Sequence, residues 1–208
     1  AAAEAAASGE IDDAVCVLPG EEPAITLEFE HGEASAAIAQ AGAARDRLNA
    51  ALFESARERW PDRWHELKPL PFRFATWVGY DMDGRTDIAW STSVGFRLGE
   101  KAERLRRYAA DLEAIDADHP ELDALRRAVD HAARHAEAFL GDFSDPAHLS
   151  EVANALTADD PDKLLSLEPL IERLETDARD AEPQRAVALK VLAAAMRADG
   201  LGIGWIHF

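Results

Sequence analysis

Seven apolar residues, Leu122, Leu125, Val129, Ala132, Ala136, Phe139 and Phe143, follow one another at alternating steps of three and four. Only an α-helix brings such a series onto one side, and a seam that regular has to pack against another helix. Upstream, Leu98, Leu105, Tyr108, Leu112 and Ile115 form a second helical stripe. Thr86 or Asp87 is placed to cap it, and His119-Pro120 to break it. From Glu33 to Trp60 the residues Ala34, Ile38, Ala41, Leu48 and Leu52 predict a further amphipathic helix that stops at Pro61. Asp145-Pro146 and Asp160-Pro161 each combine an N-cap residue with proline at the first helical position. Leu167, Ile171, Leu174 and Ala178 line the second of the helices they open. Pro183 opens a last one through Val187, Val191 and Ala195. "PFRFATWV" at 71–78 and the final "GLGIGWIHF" have the aromatic and branched character of short strands. The expected fold class is therefore mainly α: a multi-helix bundle with one or two isolated short strands, preceded by an irregular lead-in over 1–23.

With 208 residues the chain is long enough to bury roughly 70% of its unfolded surface. Forty acidic against 22 basic residues give a formal charge of -18, which repels nucleic acid and anionic membrane surfaces, so neither is an expected partner. A small anionic ligand would need a local cluster of Arg or Lys. The one cysteine, Cys16, leaves no internal disulfide and fits a reducing compartment, so the expected location is the cytoplasm. "AAAEAAASGE" lacks the basic start and apolar core of a signal peptide, and no apolar run reaches membrane-spanning length. The absent initiator Met and the uncapped apolar ending create the expectation of a piece of a longer polypeptide.

The chemistry-bearing stretch is "ATWVGYDMDGR", in which Asp81 and Asp83 precede Gly84. An apolar strand running into two such aspartates is the first motif of haloacid-dehalogenase-type phosphatases, with Asp81 as nucleophile and Asp83 as general acid. That fold needs a parallel α/β sheet, whereas the following hundred residues read as successive helices. A calcium loop fails on spacing, because with Gly84 sixth the first and twelfth ligands would be Gly79 and Trp90. His131 and His135 have a zinc-compatible spacing of four, but the residue after the first is Ala132 and not glutamate. Both stand beside the apolar seam, as a solvated or boundary pair would. The basic run Arg104 to Tyr108 has Glu100, Glu103 and Asp111 one turn away and reads as a surface ladder of weak pairs.

With its flanks, the same stretch resembles phosphoenolpyruvate carboxylase. That family carries a segment close to P-V-R-F-T-S-W-M-G-G-D-R-D-G-N-P directly before a long helix. Pro71, Arg73, Phe74, Trp77, Gly79, Asp81, Asp83 and Gly84 stand at the matching positions, and the likeness covers about residues 71 to 115. The terminal "GLGIGWIHF" is similar to an apolar strand that leads into a substrate-binding arginine in the family. Met82 replaces the usual arginine, Tyr80 a glycine, and Arg85-Thr86 the Asn-Pro pair.

The resemblance implies a parent enzyme that carboxylates phosphoenolpyruvate with bicarbonate to oxaloacetate and phosphate, using Mg²⁺ or Mn²⁺, as a homo-oligomer. The family's F-T-A-H-P-T segment with its catalytic histidine is missing from these residues, so the resemblance assigns this chain no catalytic or metal-binding residue of its own. It implies a helical scaffold for the remainder of the polypeptide, with its barrel. It also implies one structural or effector loop made of Trp77, Gly79, Asp81, Asp83, Gly84 and Arg85. The alternatives are a non-catalytic helical interaction or regulatory module, and the phosphatase. At about 4 Å the charges of Asp81 and Asp83 would repel by roughly 4 kcal/mol in a partly screened setting, so the loop needs N–H donors or a cation, with Arg73 and Arg85 nearest. Gly79 and Gly84 are expected to take backbone angles that side chains forbid.

Overall fold

Polar caps and prolines mark several of the helix boundaries in the computed structural model, which describes residues 25–81, 84–86, 88–139 and 141–204. Among these residues the chain is mainly helical, with six α-helices and no strand. Helix α1 spans Leu27–Arg59. The Thr26 hydroxyl accepts from the Phe29 N–H at 3.2 Å, with Glu28 and Glu30 in the first turn and Arg57 and Arg59 in the last, each sign matching the helix dipole. Helix α2 runs Trp90–Ile115, α3 Leu122–Ala138, α4 Pro146–Thr157, α5 Glu168–Asp180 and α6 Pro183–Gly204. The Asp145 carboxylate accepts from the Ala147 N–H at 2.9 Å, and Pro146 takes the first helical position, as the sequence predicts. Among the described residues no helix is long and apolar enough to cross a membrane.

The two densest stripes become one core. Leu105, Tyr108 and Leu112 of α2 and Leu122, Leu125 and Ala128 of α3 meet Leu170, Ile171 and Leu174 of α5. Leu189, Leu192 and Met196 of α6 fill the centre. Helix α6 is buried on every side from Leu192 to Met196, because α1, α2 and α5 all pack on it. Each fully buried leucine contributes about 2 kcal/mol.

Several expectations need correction. Helix α1 buries Gly42, Arg45, Asn49, Phe53 and Ala56, while Leu48 and Leu52 are about 40% exposed. The buried face is the one with an arginine and an asparagine in it, because α6 offers that face carboxylate as well as alanines. The anticipated strand at 71–78 is irregular chain ending in a turn, with no neighbouring strand to pair its backbone. The second anticipated strand is helical through Gly204, and its last four residues lie outside the described residues. Helix α2 starts after Ala89 with no side-chain cap, so Thr86 does not cap it, and Asp87 is outside the described residues. Asp160-Pro161 opens only a 3-10 turn, Pro161–Lys163, after which Leu164 at φ 40° redirects the chain and α5 starts afresh at Glu168. The expected lead-in over 1–23 also lies outside the described residues.

Candidate functional site

The loop singled out by sequence closes one end of a cleft between α1 and α2. Gly79 has φ +87°, and a Cβ there would lie 2.5 Å from the Phe96 ring, so both conformation and space require glycine. The hydroxyl of Ser93 donates to its carbonyl at 2.6 Å. Tyr80 turns inward and its hydroxyl donates to the Glu100 carboxylate at 2.7 Å; the same oxygen is 3.0 Å from His31 Nε2. His31 stacks on Phe96 with ring centres 3.9 Å apart, and Arg97 adds a bond to Glu100 at 3.1 Å while lying over the Tyr80 ring. Burial acts to raise the Glu100 pKa, but the bonds from His31 and Tyr80 and the nearby Arg97 outweigh it and hold the carboxylate below its ordinary range. Burial, together with the charge of Glu100, pushes the Tyr80 phenol well up, so it remains a donor.

Of the remaining loop residues, Asp81 is exposed and its carboxylate accepts from the Gly84 N–H at 3.3 Å, which provides one of the N–H donors the acids need. A Cβ at Gly84 would lie 2.7 Å from the Asp81 carboxylate, so a side chain there would push that carboxylate aside. Arg85 donates to Glu30 of α1 at 2.8 Å, tying the loop to the neighbouring helix. Trp77 is 78% exposed. Asp83 and Met82 lie outside the described residues.

At the other end of the cleft is a polar cluster that the sequence reading did not anticipate. Arg45 of α1 is buried and donates to both carboxylate oxygens of Asp199 on α6, at 2.7 and 3.3 Å, and to Asp46 at 3.1 Å. The Tyr108 hydroxyl donates to Asp199 at 2.9 Å. Burial acts to raise the Asp199 pKa, yet the Arg45 bonds and the charge of Arg104 win and hold it low, so it carries its charge at neutral pH. Arg107 donates to Asp46 and lies 3.5 Å from Asp111. Arg104 and Arg107 were expected in a surface ladder. They belong instead to this inter-helix cluster, and only Arg106 with Glu103 keeps the surface role. The signal was present in the 42/45/49/53/56 spacing, but Arg45 and Asn49 disguised it as a polar face.

The cleft between these ends has a volume of about 350 Å³. Ile38 and Ala39 of α1, Phe96 of α2 and Phe74 from the irregular segment wall it, with Asp199 contributed by α6. A Cβ at Gly32 or Gly99 would meet nothing within 4 Å, so glycine at both positions leaves the space open.

Of the pair expected to be solvated or at the boundary, His131 is buried and His135 half-buried; their rings stack at 4.1 Å between centres, with Asp160 3.5 Å from His131. Burial, then the neighbouring His135, lowers the His131 pKa. Among the described residues no three His, Cys, Asp or Glu side chains converge to hold a metal ion.

Compared with protein-family models, curated proteins and solved structures, the chain matches none.

Proposed function

We propose that this chain is a helical scaffold segment of a phosphoenolpyruvate carboxylase-like protein, and that the loop of Trp77, Gly79, Asp81, Asp83, Gly84 and Arg85 serves as its structural or effector element and not as a reaction centre. One observation carries the reading. Matching residues of the family's segment are engaged in holding backbone and helices: Gly79 seats under Phe96 and Asp81 closes a turn on Gly84, while Arg85, which stands where the family has asparagine, ties the same loop to Glu30. Outward from that tied loop, Phe72 and Trp77 are 53% and 78% exposed, an aromatic surface of the kind that packs against further polypeptide. The phosphatase reading has no support from the fold, since it places its first aspartate at the end of a sheet strand and the described residues contain none.

The test is oxaloacetate formation from phosphoenolpyruvate and bicarbonate with Mg²⁺ or Mn²⁺, measured on this chain alone and on a longer polypeptide that carries it. We expect none from the chain alone and turnover from the longer protein. Activity of the 208 residues alone would overturn the scaffold role, and inactivity of the longer protein the carboxylase assignment. Trp77→Ala in the longer protein should weaken assembly or turnover while leaving the helical content unchanged.

A further inference from the structure

We propose that the α1/α2 cleft is a binding site for a small organic monocarboxylate, with an apolar body between the helices and its carboxylate on Arg104. At about 350 Å³ the cleft falls within the roughly 300–1,000 Å³ usual for small-molecule sites, and Ile38, Ala39, Phe74 and Phe96 give it an apolar interior. Its length is kept open by Gly32 and Gly99, whose missing side chains face empty space.

The charge requirement comes from Arg104. Its side chain is 22% exposed, and among the described residues its one partner is Asp199 at 3.3 Å. That carboxylate already accepts from Arg45 and from Tyr108. A guanidinium carries five N–H donors, so a largely buried one with a shared acceptor has capacity for another anion. The other charged groups lining the cleft are engaged: Glu100 by His31, Tyr80 and Arg97, Glu103 by Arg106, and Arg107 by Asp46 and Asp111. The hydroxyl oxygen of Ser35, also in the lining, is buried without a partner and can meet a second polar atom of the ligand.

Two features restrict the anion to a single charge. The chain's formal charge of -18 opposes entry of a dianion, and one guanidinium already sharing Asp199 matches one further carboxylate better than a phosphate.

The experiment is calorimetric titration of the full chain with phenylbutyrate, and with phenylbutyramide, which has the same shape and no charge. We expect one saturable site for the carboxylate and binding of the amide weaker by roughly tenfold or more. Arg104→Gln should bring the carboxylate down to the level of the amide. Gly99→Leu, which fills the open space with a good helix former, should abolish binding of both ligands while melting no lower than the parent chain. The proposal is overturned by absence of saturation up to about 10 mM phenylbutyrate, by equal affinity for the two ligands, or by unchanged binding to Gly99→Leu. Unchanged carboxylate binding in a folded Arg104→Gln protein would overturn it too. If that variant does not fold, the amide comparison and Gly99→Leu decide.

Discussion

The two long sides of α2 solve the same packing problem by different means. Toward α3, α5 and α6 it presents Leu105 and Leu112 to a closed apolar core. Toward α1 it presents Gly99, Arg104 and Arg107, and contact is made through a carboxylate borrowed from α6 and a knot of rings around Glu100. Apolar seams close by excluding water and have no directional requirement. An ion-paired seam closes only where donors and acceptors coincide, and between such points it leaves space. The cleft is that space, so the side of the molecule that uses charge for cohesion is also the side able to admit a ligand.

The contrast is broken most directly by removing the shared carboxylate. Asp199→Ala leaves Arg45 buried beside Asp46 alone and should cost about 3–5 kcal/mol, measured by urea unfolding at pH 7. Because the Asp199 pKa is held low in the folded chain, its contribution is complete above about pH 4, the ordinary aspartate value, and is lost as the pH falls through the folded value. The gap between parent and variant should narrow in acid; a constant gap would mean that the ion pairs are not what stabilises this side. On the apolar side, Leu174→Ala should cost about 2–5 kcal/mol with no such pH dependence.

Lys101 tests whether the closed side can tolerate charge. It is buried, donates to the carbonyls of Lys163 and Leu164 at 2.6 and 2.9 Å, and burial lowers its pKa to about 8. Between that value and the ordinary 10.5 the unfolded chain binds the proton more readily, so stability from this group rises with pH by at most about 3 kcal/mol. The difference in unfolding free energy between parent and Lys101→Met should grow in the parent's favour from pH 7 to pH 10. A flat difference would show the ammonium is already well solvated.

Smaller effects sharpen the comparison. Gly99→Ala places a methyl group in open space on a helix and should raise stability by about 1 kcal/mol, seen as a higher melting temperature, whereas an alanine in a closed seam would clash. Asp81→Asn keeps an acceptor for the Gly84 N–H on an exposed turn and should shift unfolding by no more than about 0.5 kcal/mol. A large loss of stability there would mean the acid does more than close its turn.

How much could be read in advance depended on which contacts were apolar. The seams of α2, α3 and α5 were legible because Leu105, Leu112, Leu125, Ile171 and Leu174 are both periodic and hydrophobic, and they are buried. The loop was legible by its residues, and Gly79 has the positive φ expected of it. Helix α1 was misread, since its periodic Leu48 and Leu52 face outward while Arg45 and Asn49 face in. Arg104 and Arg107 were assigned to solvent for a similar reason: their partners Asp46 and Asp199 lie far away in sequence.

Local chemistry in the chain therefore decided that it would be helical, roughly where most helices begin and end, and which faces would seal together, because periodicity and capping act within a few residues. Which face of α1 turns inward, which charges are shared among three helices, and that an open cleft remains between two of them were decided by the tertiary structure. Ion pairs join groups separated by up to 154 residues, and an acceptor that distant leaves no mark on the segment that needs it.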